Sequence, residues 1–140
     1  MLLTEDKSQC EKQQKIIVSK DSHTPREHRA SNPKRYFVRQ YKLDGDLVKN
    51  EKCCDFLLIN DSLKDAFFIE LKGCNMDEAI SQLQKGLQKC QAELCGYTFY
   101  FRIVVSRVCT HNLQKNAFRK FKAMYGNKFK YTTAKMEETL

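Results

Sequence analysis

The chain has 140 residues, 41% hydrophobic and 30% charged, enough for one domain with a sizeable core and too few for two comfortable ones. Its formal net charge of +8 and pI near 9.1 favour an anionic partner, phosphate polymers foremost, although charge alone fits a solubilising surface equally well. No apolar run is long enough to cross a membrane, and no Walker-type glycine loop, GxGxxG, nucleophilic serine elbow, internal repeat or low-complexity tract is present.

Residues 1–34 carry little periodicity. Thr4, Glu5 and Asp6 can open a helix through Lys15, but Cys10 is nearly its one apolar residue, whereas Ile16, Ile17 and Val18 read as a short strand. From Ser19 to Pro33 the chain is polar and predicts a loop or mobile arm. Arg26, Arg29, Lys34 and Arg35, with His23 and His28 between them, would suit phosphate contact or simply be solvated. Residues 36–43 alternate as a strand, with Val38, Gln40 and Lys42 on one side and Arg39, Tyr41 and Leu43 on the other. Asp44-Gly45 is a hairpin-turn dipeptide, so Asp46 to Lys49 should begin a return.

Next come two apolar, aromatic runs. Phe56-Leu57-Leu58-Ile59 follows Asp55, and Ala66-Phe67-Phe68-Ile69 leads into Glu70-Leu71-Lys72-Gly73. The connection, Asn60 to Asp65, is rich in turn formers and predicts an antiparallel hairpin. Asn75 or Asp77 then caps a helix over 77–94, where Ala79, Ile80, Leu83, Leu87, Cys90 and Leu94 form one apolar stripe, and Gly96 closes it. Residues 97–106 form the strongest strand, β-branched and aromatic throughout, which predicts a central position covered on both faces. Its crossover from the preceding strand predicts parallel pairing. A second helix over 113–125 puts Phe118, Phe121, Met124 and Tyr125 on its apolar side. Residues 128–133 read as an edge strand guarded by lysines, and the acidic tail Glu137-Glu138 as a fraying end.

Seven cysteines are an odd number, and none are spaced C-x-x-C. Without a secretory signal they read as reduced, mostly buried thiols of a cytosolic protein. Zinc has little support, because Cys53 and Cys54 are adjacent, Cys90 and Cys95 lie five apart, and His23, His28 and His111 are distant in sequence.

The chemistry sits in the hairpin. Period-two geometry puts Phe68, Glu70 and Lys72 on one face, and pairing about the turn sets Asp55 opposite them. Two carboxylates and an ammonium on an apolar sheet suit a hard divalent cation, which takes oxygen ligands and polarises a phosphoryl group. Asp55 and Glu70 are then ligands, the Leu71 carbonyl a third, and Lys72 serves the nucleophile. The competing reading is an ordinary Glu70–Lys72 ion pair with Asp55 capping a turn.

In these residues, Asp55 followed after fourteen positions by Glu70-Leu71-Lys72 on consecutive strands with a helix behind, the chain resembles the PD-(D/E)xK nuclease superfamily over roughly residues 35 to 110. Cys54 stands where the family's proline often precedes the aspartate. The resemblance implies an α/β, restriction-endonuclease-like core, a mixed sheet flanked by helices, and metal-dependent phosphodiester cleavage. Family members often carry a glutamine in the next helix, where Gln82 fits, and another carboxylate from an N-terminal helix, for which Glu11 and Glu27 are candidates; Asp44 is a further one if its strand lies alongside.

The expectation is therefore a cytoplasmic, single-domain protein, with an N-terminal arm over 1–34 and a nuclease-like core over 35–133, that cuts DNA, or less readily RNA, with Mg²⁺ or Mn²⁺. Asp55, Glu70, Lys72 and Gln82 are its catalytic residues. Arg35, Arg102, Arg107, Lys115, Arg119, Lys120 and Lys122 guide the nucleic acid without reading its sequence. The expected partner is nucleic acid, DNA foremost, with no membrane, and the protein is read as a homodimer or part of a larger complex. The rival readings are an inactive nucleic-acid- or protein-binding module on the same scaffold, and an anion-binding domain unrelated to nucleic acid.

Overall fold

A computed structural model describes the backbone of residues 1–140 and every side chain except that of Gln114. The chain is mixed α/β. Eight strands run in order as β1 (Ile16–Lys20), β2 (Glu27–Ser31), β3 (Val38–Lys42), β4 (Phe56–Asn60), β5 (Asp65–Lys72), β6 (Thr98–Val105), β7 (Phe129–Thr133) and β8 (Lys135–Thr139); helix α1 (Met76–Cys90) follows β5 and α2 (Asn116–Tyr125) follows β6. A five-stranded sheet has the order β3-β4-β5-β6-β7, and a three-stranded sheet the order β1-β2-β8.

The hairpin of β4 and β5 is antiparallel with Phe56 opposite Ile69 and Asn60 opposite Asp65. Beyond it α1 carries the chain over to β6, which pairs parallel with β5 so that Lys72 lies opposite Val105. Asn75 caps α1 by accepting the Glu78 N–H (3.1 Å). Gly126, with positive φ, caps α2; α1, expected to run to 94 and close at Gly96, ends at Cys90 and gives way to a 3-10 turn over Gln91–Glu93. Gly86 matters for closeness of packing instead. A Cβ there would drive into the Cys54 Sγ and crowd Phe68, so the missing side chain lets α1 settle directly on β4 and β5.

The two faces of the large sheet have different covers. On one, Leu57, Ile59, Phe68, Phe101 and Ile103 pack under Ile80 and Leu83 of α1 and Phe118 and Phe121 of α2. On the other, Leu58, Phe67, Ile69, Leu71 and Val104 pack against Ile17, Ala30 and Met136 of the small sheet. Helices thus flank one face only. The second cover is assembled from segments read as arm and tail.

That finding corrects several expectations. Residues 4–15 hold one short 3-10 turn, Glu5–Lys7, and no helix, since they offer no apolar stripe to bury. The stretch read as a loop contains β2, which pairs with β1 antiparallel and with β8 parallel. Glu138 does not fray, because it takes a buried ion pair described below. After Asp44-Gly45 no return strand forms; a single bridge joins Asp44 and Val48. Met124, placed on the apolar side of α2, is 72% exposed. All seven cysteines are free thiols, with Cys53, Cys54 and Cys90 buried. Among the described residues no helix is long and apolar enough to cross a membrane.

Candidate functional site

The hairpin register puts Asp55 directly opposite Glu70, one step past the last β4–β5 pair. There the side chains take over from the backbone ladder. Asp55 N–H donates to Glu70 Oε1 (3.1 Å), and Asp55 Oδ2 accepts the Leu71 N–H (2.9 Å). Each carboxyl is thereby anchored to the other strand.

Glu70 is 3% exposed. Burial, then the charge of Asp55, pushes its carboxyl up to about 10, with Lys72 pulling the other way. Burial also raises Asp55, against the Leu71 N–H that favours its charged form. At neutral pH the pair therefore keeps a proton between its members.

Lys72 does not pair with Glu70. Its Nζ lies 2.8 Å from Glu78 Oε1 and 3.5 Å from Gln82 Oε1, both on the first two turns of α1. A Glu70–Lys72 ion pair is accordingly absent among the described residues, and neither acid has a cationic partner within salt-bridge distance. Gln82 is itself buried, 8% exposed, with its amide oxygen turned toward the lysine.

Asp55 and Leu71 also line a cleft of about 270 Å³ whose other walls are Lys20, Asp21, Ser22 and His23 from the β1–β2 turn, and Lys42, Asp44 and Phe56. Asp44 sits near enough to raise the Asp55 carboxyl further, as does Asp21. Asp44 Oδ1 meanwhile accepts the Cys53 N–H (3.2 Å). Glu70, Lys72 and Gln82 lie on the α1 side of the strand end, so Asp55 is the residue shared between cleft and helix.

The donor set consists of oxygens alone: two carboxylates and the Leu71 carbonyl. It fits Mg²⁺ or Mn²⁺, which are commonly held by one or two carboxylates with water and substrate phosphate completing the shell. Among the described residues no three His, Cys, Asp or Glu side chains are clustered for a metal.

The basic residues separate. Lys115 pairs with Asp77 (3.4 Å), and Asn112 Nδ2 donates to the Cys74 carbonyl (2.7 Å), so α2 begins at the Lys72 end of the sheet. Arg119 follows one turn later; Lys120 and Lys122 are exposed farther along. Exposed Arg107 stands beside Gly73, its N–H donating to that carbonyl (3.4 Å).

Two expectations fail on position. Arg35 precedes β3, whose first residue pairs with Asn60 at the end of the sheet opposite Asp55. Arg102 is 3% exposed, paired with Glu138 through Nε (2.9 Å) and Nη2 (3.1 Å), and packed against the Phe67 and Tyr100 rings. Its Nη1 donors go to the Phe101 and Lys128 carbonyls, so four of its five donors are spent inside the protein and the group is not presented to phosphate.

Of the candidate extra carboxylates, exposed Glu11 lies beside Lys12, whose carbonyl takes the Val38 N–H at the far end, and Glu27 faces Arg29. Asp44 alone reaches the site. Sequence reasoning missed Glu78, Asp21 and Lys20. Glu78 was one helical turn from a capping residue and so readable; Asp21 and Lys20 belong to a sheet that no local pattern announced. No family model, curated protein or solved structure matches this chain.

Proposed function

We propose that this protein is a metal-dependent nuclease with a restriction-endonuclease-like core, hydrolysing phosphodiester bonds of DNA with weak sequence preference. The observation carrying the reading is the Asp55–Glu70 pair: a buried acid beside a half-buried one, each tied to the other's strand, with no cation among the described residues within salt-bridge distance of either. Burying such a pair is costly, and a bound divalent cation would remove the cost. The order of the elements agrees, since the acids sit on consecutive strands and the next helix delivers Gln82.

On this reading Asp55, Glu70 and the Leu71 carbonyl hold Mg²⁺ or Mn²⁺. The ion would supply Lewis acidity toward the phosphoryl oxygen and lower the pKa of an attacking water. Lys72 offsets negative charge that develops on the phosphorane oxygens. Glu78 and Gln82 act through Lys72, keeping its ammonium at the strand end instead of free in solvent. Arg107, Lys115 and Arg119 at the same end suit phosphate contact without base readout.

One observation favours a second reading, a binding module without catalysis: Lys72 is already held by Glu78. Plasmid cleavage in Mg²⁺ or Mn²⁺ separates the two. Wild-type cutting that disappears in Glu70→Gln and Lys72→Ala supports the nuclease. Binding without cutting supports the module, and cutting that survives both substitutions removes this site assignment.

A further inference from the structure

We propose that the substrate backbone is seated in the cleft between the β1–β2 turn and the end of β3, with Lys20 and Lys42 neutralising phosphates on either side of the reacting one. This rests on the nuclease reading of the Asp55 end, and it moves the main nucleic-acid contact from the basic face of α2 to the opposite side of the large sheet.

Position favours the cleft. Its walls include Asp55 and Leu71, two of the three groups assigned to the metal, whereas α2 touches the site only at its beginning. Lys20 ends β1 of the small sheet and Lys42 ends β3 of the large one, so the two residues stand on opposite walls of a single cavity. Both are exposed, and neither is in an ion pair among the described residues.

The turn that carries Lys20 is also fastened. Arg26 Nη2 binds Asp21 Oδ2 (3.0 Å) and Nη1 binds Ser106 Oγ (2.9 Å), while Asp21 Oδ1 accepts the His23 N–H (3.0 Å). Ser106 N–H in turn donates to the Lys72 (3.1 Å) and Gly73 (2.8 Å) carbonyls. Lys20 is thus placed relative to Lys72 through a chain of hydrogen bonds across both sheets. The same chain neutralises Asp21, whose carboxyl is held low first by the His23 N–H and also by Arg26. Asp44 is partly quenched by the Cys53 N–H. What the cleft then offers a phosphodiester is a pair of free ammonium groups, the His23 imidazole, and Asp55 and Leu71 of the proposed metal site.

The test is binding, read apart from cleavage. Fluorescent single-stranded and duplex DNA are titrated with protein in Ca²⁺ and again in EDTA over a series of salt concentrations. The Lys20→Ala/Lys42→Ala variant is compared with Lys120→Ala/Lys122→Ala, each removing two exposed ammoniums. Losing two phosphate contacts should lower the salt slope of log K by about 1.8 and weaken binding roughly tenfold or more at low salt. The α2 variant should change far less, and Lys20→Arg/Lys42→Arg should retain wild-type affinity. Equal losses in the two alanine variants, or a cleft variant that binds like wild type, would overturn this placement and leave the nuclease reading standing. Wild-type protein that binds no DNA would overturn both.

Discussion

Replacing Glu70 by glutamine should stabilise the metal-free protein while abolishing its cleavage. The amide keeps the shape and the oxygen that accepts the Asp55 N–H. Ionisation is what it removes. In the folded chain the Glu70 carboxyl sits at about 10, against about 4.3 when unfolded. A folded value above the unfolded one means the native state binds the extra proton. The associated stability is complete below about pH 4.3 and falls as pH rises toward 10, by about 1.4 kcal/mol per pH unit for a single group. Between about pH 4.3 and pH 8 that slope sums to about 5 kcal/mol; since Asp55 shares the proton, about half of it is the reasonable expectation. Urea melts at about pH 4.5 and pH 8 in EDTA should therefore coincide for the two proteins at the lower pH and separate by about 2–5 kcal/mol, in favour of Glu70→Gln, at the higher. A variant less stable than wild type at the higher pH would mean that Glu70 is an ionised, well-compensated carboxylate, and the case for a metal at this pair would lose its foundation.

The same proton predicts that Mg²⁺ or Mn²⁺ binding near pH 7.5 releases about one proton per ion, visible as buffer-dependent heats in calorimetry, with none released by Glu70→Gln. Arg102→Met should cost about 3–5 kcal/mol by stranding Glu138 and His28, yet leave DNA affinity per folded molecule unchanged. Because Glu138 is depressed to about 2, burial working against the His28 and Arg102 partners, its contribution is present above about pH 4.3 and lost as pH falls toward 2; acid titration of wild type should show that loss and Arg102→Met should not. Gly86→Ala should destabilise by about 1–3 kcal/mol despite the better helix propensity of alanine, since the added Cβ meets Cys54; an unchanged urea midpoint would refute the close approach of α1 to the hairpin.

The chain itself determined whatever depends on neighbours in sequence. Apolar runs of strand length, the turn between Asn60 and Asp65 and the capping Asn75 are local signals, and each appears where the residues put it. The pairing of Asp55 with Glu70 was readable for the same reason, because a short hairpin dictates its register. Tertiary structure alone decided the rest. β2 and β8 are polar strands from opposite ends of the chain, and they pair because the sheet they form covers Phe67, Ile69 and Leu71. That pairing buries His28 against Glu138, gives Arg102 its partner, and brings Lys20 into the cleft beside Asp55. Long-range burial selects such contacts, and no window of sequence contains both sides of one.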